Sequence, residues 1–426
     1  MFRFVLALAC LCGLATAEAR LPVTYKDAVA ANAAGHADVA RASFRRLAES
    51  GFPSAQFKLG SMLLEGEGGP KDTVEGALWI RLAAEEGHRP AIDTPPAELE
   101  TLEPAQREMV DNRIADWRAR YSRGALFATH APVLCEADCL SGDSDGLRRP
   151  KGSAEVILNG KRALLDQHEP IFPRELRRRG IPGYVQMGAW IGADGEFEHP
   201  HVMFSDPEWI FDGPALAALQ KWRVEWVDGA PDADNRYVSQ TIVFYLEGRS
   251  WGRKARRQYE RLINDWDEDL AGAYRAARMA FTLEFGDLVG GREGLVAKTH
   301  DAASAGLARA QIDLHDDLET ANGVRHDDRA AAFWLRRAAF SGHARAQFLL
   351  SLRDDPSPDF KQSLLYSAAE KGSVPAIMSV LRQQLASPET ADKAQLSSLV
   401  ELLPEFWYMV NPDQTLVDQA KQLISG

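Results

Sequence analysis

The chain has 426 residues, 45% hydrophobic and 26% charged, with 49 Lys and Arg against 61 Asp and Glu for a formal net charge of −12. That apolar share supports folded cores rather than disorder, and the length implies two or three domains. The acidic balance excludes nucleic acid as an expected partner, because phosphate binding needs a cationic surface.

Met1 and Arg3 form a short cationic start, and residues 4–15 are almost uninterruptedly apolar. With Ala15-Thr16-Ala17 ahead of Glu18, this is the layout of a secretory signal peptide cut after Ala17, and the apolar run is too short to span a bilayer. A periplasmic mature chain from Glu18 is expected. Loss of Arg3 leaves it 48 Lys and Arg against the same 61 acidic residues. Neither Cys10 nor Cys12 has a leucine three positions before it, which argues against a lipid anchor. An uncleaved signal tethering a transport accessory to the membrane is the alternative.

Internal repetition dominates the next stretch of the chain. Leu47-Ala48, Gly51 and Ala55 recur 36 residues later as Ala83-Ala84, Gly87 and Ala91, with Leu59-Gly60, Leu64, Gly66, Gly68, Asp72, Ala77 and Trp79 between them. Small and apolar residues at helical intervals, with Gly closing each second helix in a left-handed cap, predict antiparallel helix pairs. Ala55, Gly60, Ala77 and Ala84 mark close crossings. Val110, Ile114, Trp117 and Tyr121 then share one face of a helix starting near Pro104, a cap on the first repeat block.

From 131 to 151 the chain becomes rich in Gly, Asp, Ser and Pro and reads as a linker. It holds Cys135 and Cys139, the two cysteines left after cleavage; an oxidising compartment and their closeness predict a local disulfide. Three intervening residues do not suit a redox pair, and a metal site would need more ligands.

Between about 153 and 247 the periodicity falls towards two. Asn159-Gly160 and Asp194-Gly195 predict hairpin turns. Residues 184–191 place Val185, Met187, Ala189 and Ile191 on one face, and 237–246 do the same with Val238, Gln240, Ile242, Phe244 and Leu246. Each strand is expected to be half-buried, with a helix carrying Phe211, Ala215, Ala218, Leu219 and Trp222 across the apolar face. Beyond it, one long helix is expected over about 254–279. The repeat signature returns as Ala302-Ala303, Gly306 and Ala310-Gln311, then Ala338-Ala339, Gly342 and Ala346-Gln347, then Ala368-Ala369, Gly372 and Ala376.

On these residues, about 25–92 and 300–380 resemble the Sel-one-like repeat family of tetratricopeptide-like helical hairpins. Over roughly 168–247 the chain resembles the C-terminal domain family of TonB, the energy transducer of outer-membrane transport. The matching positions are Phe172-Pro173, Gly180, Gly183, Val185, Asp194-Gly195, Ser205, Phe211-Asp212, Ala215-Leu216, Ala218, Trp222 and Ile242-x-Phe244. The proline that family carries shortly after the tryptophan is missing, with Glu225-Trp226 in its place. The inner-membrane helix and proline-rich spacer of a force-transmitting TonB are not seen, and about 180 residues follow the domain. The expectation is binding without direct coupling to the proton gradient.

Chemistry-bearing motifs are sparse. Glu198-His199-Pro200-His201 gives an incomplete metal constellation, and Pro200 implies an edge strand. His315-Asp316-Asp317 and His326-Asp327-Asp328 are expected at solvated repeat turns. Asp143-Ser144-Asp145-Gly146 lacks the later ligands of a calcium loop. No nucleophile elbow or phosphate loop is found. Some cysteine-rich relatives of the repeat family are linked to penicillin binding or hydrolysis, but they carry a cysteine pair in each repeat, and these repeats have none. Arg177-Arg178-Arg179 and Phe406-Trp407-Tyr408 read as a solvated helix end and a buried cap.

The expected fold is α+β and multidomain: an α-solenoid of helical-hairpin repeats flanking a small α/β domain with a three-stranded antiparallel sheet. The boundaries are signal 1–17, first repeats 18–128, linker 129–152, α/β domain 153–250 and second repeats 251–426. The expected function is a periplasmic interaction scaffold for envelope proteins or peptides, without cofactor, metal or catalytic residues; a cell-wall enzyme or regulator of β-lactamase-like type is the alternative. The TonB resemblance points to the last strand as a free edge, where Ser239, Thr241, Val243 and Tyr245 would tune peptide recognition.

Overall fold

In the computed structural model, described for residues 20–135, 154–158, 161–179, 181–206, 210–231, 237–244, 249–283, 285–403 and 415–425, hairpin follows hairpin from the start. The signal segment, Cys139, Asp143 to Gly146 and Phe406-Trp407-Tyr408 lie outside those residues. The first block contains α1 (Tyr25–Ala33), α2 (Ala37–Glu49), α3 (Pro53–Glu65), α4 (Thr73–Glu85), the single turn α5 (Arg89–Asp93), α6 (Pro104–Tyr121) and α7 (Arg123–Thr129). Gly60 on α3 and Gly76 on α4 set the closest crossing: a Cβ on Gly60 would lie 2.8 Å from the Gly76 carbonyl oxygen. As expected, α6 buries Val110 and Ile114. Its Trp117 and Tyr121 meet Trp79 with ring centres 5.3 and 4.9 Å away.

The repeat signature has one structural meaning at every occurrence. Gly51, Gly87, Gly306, Gly342 and Gly372 all take positive φ, between 78° and 102°. The residue after each donates its N–H back to the carbonyl five positions earlier, from Phe52 to Leu47 through to Ser373 to Ala368, closing a Schellman cap. Where the next helix carries Ala-Gln in its first turn, the glutamine is fully buried and ties the two helices together. The side-chain amides of Gln56, Gln311 and Gln347 donate to the carbonyls of Ala48, Ala303 and Ala339, eight residues back, at 3.3, 3.0 and 3.0 Å.

The α/β domain holds β1 (Ala154–Leu158), β2 (Lys161–Asp166), α8 (Arg174–Arg179), β3 (Gly183–Ile191), β4 (Phe197–Asp206), α9 (Asp212–Leu219), β5 (Arg223–Trp226) and β6 (Tyr237–Phe244). The expected sheet is present, antiparallel in the order β4-β3-β6, and a second antiparallel sheet, β1-β2-β5, joins it. Both share one core with α9, built from Val185, Met187, Phe211, Leu216, Trp222 and Phe244. Many residues behind the family resemblance are therefore structural: the Phe172 ring meets Phe211 and Phe244 edge-on, and the Trp222 indole donates to the His168 carbonyl at 2.9 Å. Gly195 takes φ +82° in a turn so tight that a Cβ would strike the Val224 carbonyl oxygen.

Half-burial holds for β6, which buries Val238, Ile242 and Phe244 and exposes Thr241, but is corrected for β3. β3 is buried on both faces, because Tyr184, with Phe204 and Val243 beside it, packs on Ala255, Tyr259 and Ile263 of α10 (Arg249–Asn264). The single long helix is corrected too: α10 ends at Asn264 and α11 (Leu270–Thr282) starts afresh, capped by the Asp269 carboxylate, which accepts from the Gly272 N–H at 3.0 Å. An acidic run over 265–269 favours a turn and a cap over a helix interior.

Beyond α11 come α12 (Gly291–Ser304), α13 (Ala308–Thr320), α14 (Asp328–Phe340), α15 (Ala344–Ser351), α16 (Pro358–Glu370), α17 (Val374–Leu385), α18 (Lys393–Glu401) and α19 (Thr415–Ser425). The two repeat blocks form one core. Phe44, Leu47 and Leu59 of the first are buried together with Leu335, Phe340, Phe360 and Leu364 of the second. The seam is also polar. The Trp334 indole donates to the His130 carbonyl at 2.8 Å, and the Leu21 N–H donates to the Ser363 hydroxyl at 2.9 Å. The buried Arg337 guanidinium lies over Phe52 and Phe127 and donates to the Ser50 carbonyl. Residues 133–135, read as the start of a linker, are clipped on: the Arg325 N–H donates to the Val133 carbonyl at 2.7 Å, and Leu134 bridges Val324.

Candidate protein-interaction edge

β6 is the terminal strand of its sheet and pairs antiparallel with β3 from Gly183–Phe244 to Trp190–Tyr237. Of the four residues assigned to recognition, Thr241 is exposed, opposite Gln186 of β3, and Ser239 stands opposite Gly188. Val243 is half-buried against the α10 cluster, so its side chain is engaged within the chain. Tyr245 lies outside the described residues.

The other edge is β4, and its register with β3 is interrupted twice, between Gln186 and Met187 and between Gly188 and Trp190. His199 sits opposite the second interruption with φ 49°. This bulge carries Pro200, as the sequence implies for an edge position. It does not gather ligands: His201 is buried beside Trp190 with its Nδ1 3.0 Å from the His199 carbonyl oxygen, and burial drives its pKa down to about 4. Among the described residues no group of three His, Cys, Asp or Glu side chains could hold a metal.

The solvated turn expected around His315-Asp316-Asp317 is corrected. These residues lie within α13, with His315 and Asp317 buried. They belong to a charge cluster under the α/β domain that single-residue inspection of the sequence missed. Asp313 accepts from the Tyr274 hydroxyl at 2.8 Å and pairs with Arg309 at 3.0 Å, while Arg278 lies 3.8 Å from Asp313 and 3.6 Å from Asp317. Arg309 stands 3.6 Å over the Phe204 ring of β4, which joins the cluster to the sheet. Burial alone would raise the Asp313 pKa, yet Arg309 and Arg278 hold it at about 2. Asp317, with one more distant arginine and Asp313 nearby, is pushed by burial to about 6. The sequence signal was the i, i+4 spacing of Arg309, Asp313 and Asp317, a polar stripe on a helix otherwise bound for the core. The companion motif behaves differently: Asp327 caps α14 and His326 is exposed.

Arg177, Arg178 and Arg179 sit on the exposed turn α8, where Arg178 pairs with Glu175 at 2.9 Å and Arg177 covers Phe172.

A helical-repeat scaffold with a small sheet domain set into it, β6 at one edge of its sheet, is an architecture suited to protein interaction. Among known families, the Gram-negative bacterial TonB protein C-terminal family matches residues 168–246, and the Sel1 repeat family matches 53–88 and 318–343, part of the expected 25–92 and 300–380. The chain thus carries Sel1 repeats and a TonB C-terminal domain. Protein TonB of Vibrio cholerae serotype O1 is 33% identical over 99 residues, 22% of this chain and 40% of that protein. Protein TonB of Pseudomonas aeruginosa is 30% identical over 105 residues, 24% of this chain and 31% of that protein. The chain therefore spans well under half the length of these relatives. A solved structure, the c5321 protective antigen of uropathogenic Escherichia coli with an SLR fold, is 14% identical, with 94% of this chain and 76% of that chain covered at a TM-score of 0.17. Among the described residues no helix is long and apolar enough to cross a membrane.

Proposed function

We propose that the protein is a periplasmic, non-enzymatic scaffold that captures an extended segment of an envelope protein by adding it as a strand to β6. The observation that carries this reading is the position of β6 at the sheet edge, with β3 as its one strand neighbour among the described residues. Strand addition draws affinity from backbone hydrogen bonds and specificity from alternate side chains. Ser239 and Thr241 supply that specificity, while Val243 anchors the strand to α10. The fused repeat blocks hold the sheet in place, a local disulfide joins Cys135 to Cys139, and export with cleavage after Ala17 puts the edge where envelope partners are. Envelope transport is the process such a partner serves.

Deleting residues 153–247 would uncover Tyr259, Ile263 and their buried neighbours, so point variants give the cleaner test. Neighbouring residues of an edge strand direct their N–H groups to opposite sides. Of Gln240→Pro and Thr241→Pro, one therefore breaks the pairing with β3 and the other removes only an outward donor. A photo-crosslinker at Ser239 in intact cells should trap an envelope protein, and the proline variant that keeps its thermal melt should lose the adduct. An undiminished adduct in that folded variant rejects strand addition. N-terminal sequencing of the exported chain should begin at Glu18; a chain beginning at Met1 favours the tethered alternative.

A further inference from the structure

Helix α10 concentrates positive charge in a chain of net charge −12: it carries Arg253, Lys254, Arg256, Arg257 and Arg261. Its apolar side, Ala255, Tyr259 and Ile263, is buried under the sheet. Arg256 is occupied, paired with Asp287 at 2.8 Å, and Glu260 acts on that same guanidinium. Arg253, Lys254, Arg257 and Arg261 are exposed, and among the described residues no ion pair holds them. With Gln258 and Leu262 they line an open groove of about 690 Å³.

The spacing of these cations selects a ligand. Arg253, Arg257 and Arg261 follow one another at i, i+4 and i+8, so their Cα atoms advance about 6 Å per step along the axis. Alternate side chains of an extended peptide advance about 6.6 Å and share one side. A segment with acidic residues at every second position would thus set successive carboxylates against successive guanidiniums, whose planar fork suits them bidentately. Gln258 and Leu262 add a hydrogen-bonding group and an apolar contact for the intervening backbone and side chains. A lipid surface fits less well. The apolar side of α10 is locked into the core and cannot insert, which leaves only screened attraction to headgroups that have no fixed spacing to match the cations.

We infer that this face of α10 is a docking groove for an extended acidic peptide segment of a partner protein, distinct from the β6 edge. The test uses the full chain and a labelled peptide of alternating glutamate and serine, read by fluorescence anisotropy. A glutamine-serine peptide and phosphatidylglycerol vesicles serve as the other arms. The acidic peptide should bind, with affinity falling about tenfold between about 50 and about 200 mM NaCl, as for screened charge pairs. The R257Q/R261Q variant should lose about tenfold in affinity with an unchanged melt, since both side chains are exposed, and R253Q should lose less. The glutamine peptide should not bind, and vesicles should not retain the chain beyond neutral controls. Equal binding by R257Q/R261Q, equal binding of the glutamine peptide, no binding of the acidic peptide at low salt, or retention by anionic vesicles alone would each overturn the proposal. The β6 proline variant that keeps its fold should bind the acidic peptide normally, which separates this groove from strand addition.

Discussion

Replacing Phe44 by alanine tests whether the two repeat blocks behave as one folding unit. Phe44 is fully buried on α2, its ring centre 5.4 Å from that of Tyr25, and it shares a core with Leu335, Phe340, Phe360 and Leu364 from the far side of the chain. Exposing a buried phenylalanine side chain forfeits about 1.5–3 kcal/mol of transfer free energy. The cavity left behind adds to this, for a total of about 3–5 kcal/mol. Marginal stability makes that loss a large fraction of what a domain possesses. The informative readout is where it is felt. Native-state hydrogen exchange should show the slowest amides of α14 and α16 opening more easily by an amount similar to those of α2 and α3, because the cavity weakens contacts that both blocks share. Loss of protection confined to α1 through α4 would refute the shared-core reasoning, and the blocks would then be separate units that merely touch.

Three further substitutions test the geometry. Gln347→Leu removes the donor to the Ala339 carbonyl at the same buried position; urea denaturation should show a loss of about 1–3 kcal/mol. Gln311→Leu should cost a similar amount, and absence of any loss at both positions would mean the repeated glutamine is not a structural tie. Asp317 sets a pH dependence: its folded pKa of about 6 exceeds the ordinary 3.8. The folded state therefore holds the extra proton between those values, and this group's contribution makes stability fall as pH rises from about 4 to about 6. Asp317→Asn should remove that slope and stabilise the chain at pH 7 by up to about 3 kcal/mol. A variant less stable at pH 7 than the parent would show that the Arg278 contact outweighs the burial of the carboxylate.

Local rules made much of this molecule legible in its sequence. The repeat glycines needed positive φ, small residues marked helix crossings, alternation marked β3 and β6, and Pro200 marked an edge; each is a property of a residue and its near neighbours, so each survives in the linear chain. The TonB-like core was legible for the same reason, since Phe172, Phe211, Trp222 and Phe244 lie within one contiguous segment. The candidate edge was half legible: its position as the last strand was predictable, but the second sheet was not, because β2 pairs with β5 across two intervening helices and two strands.

What the tertiary structure alone decided concerns residues distant along the chain. Nothing local to Phe44 specifies Phe360, and nothing local to Tyr184 specifies Tyr259, yet burial of one apolar face on another fused the repeat blocks and buried β3 on both sides. Packing also turned Asp317 from an apparent surface acid into part of a buried network with Asp313, because desolvating a carboxylate becomes tolerable once Arg278 arrives from a neighbouring helix to join Arg309 of the same helix. It also left the cations of α10 outward, since a helix that buries Ala255, Tyr259 and Ile263 must turn Arg253, Arg257 and Arg261 to solvent. Sequence determined the elements and their caps; the pairing of their apolar faces decided which charges were buried and which were left for a partner.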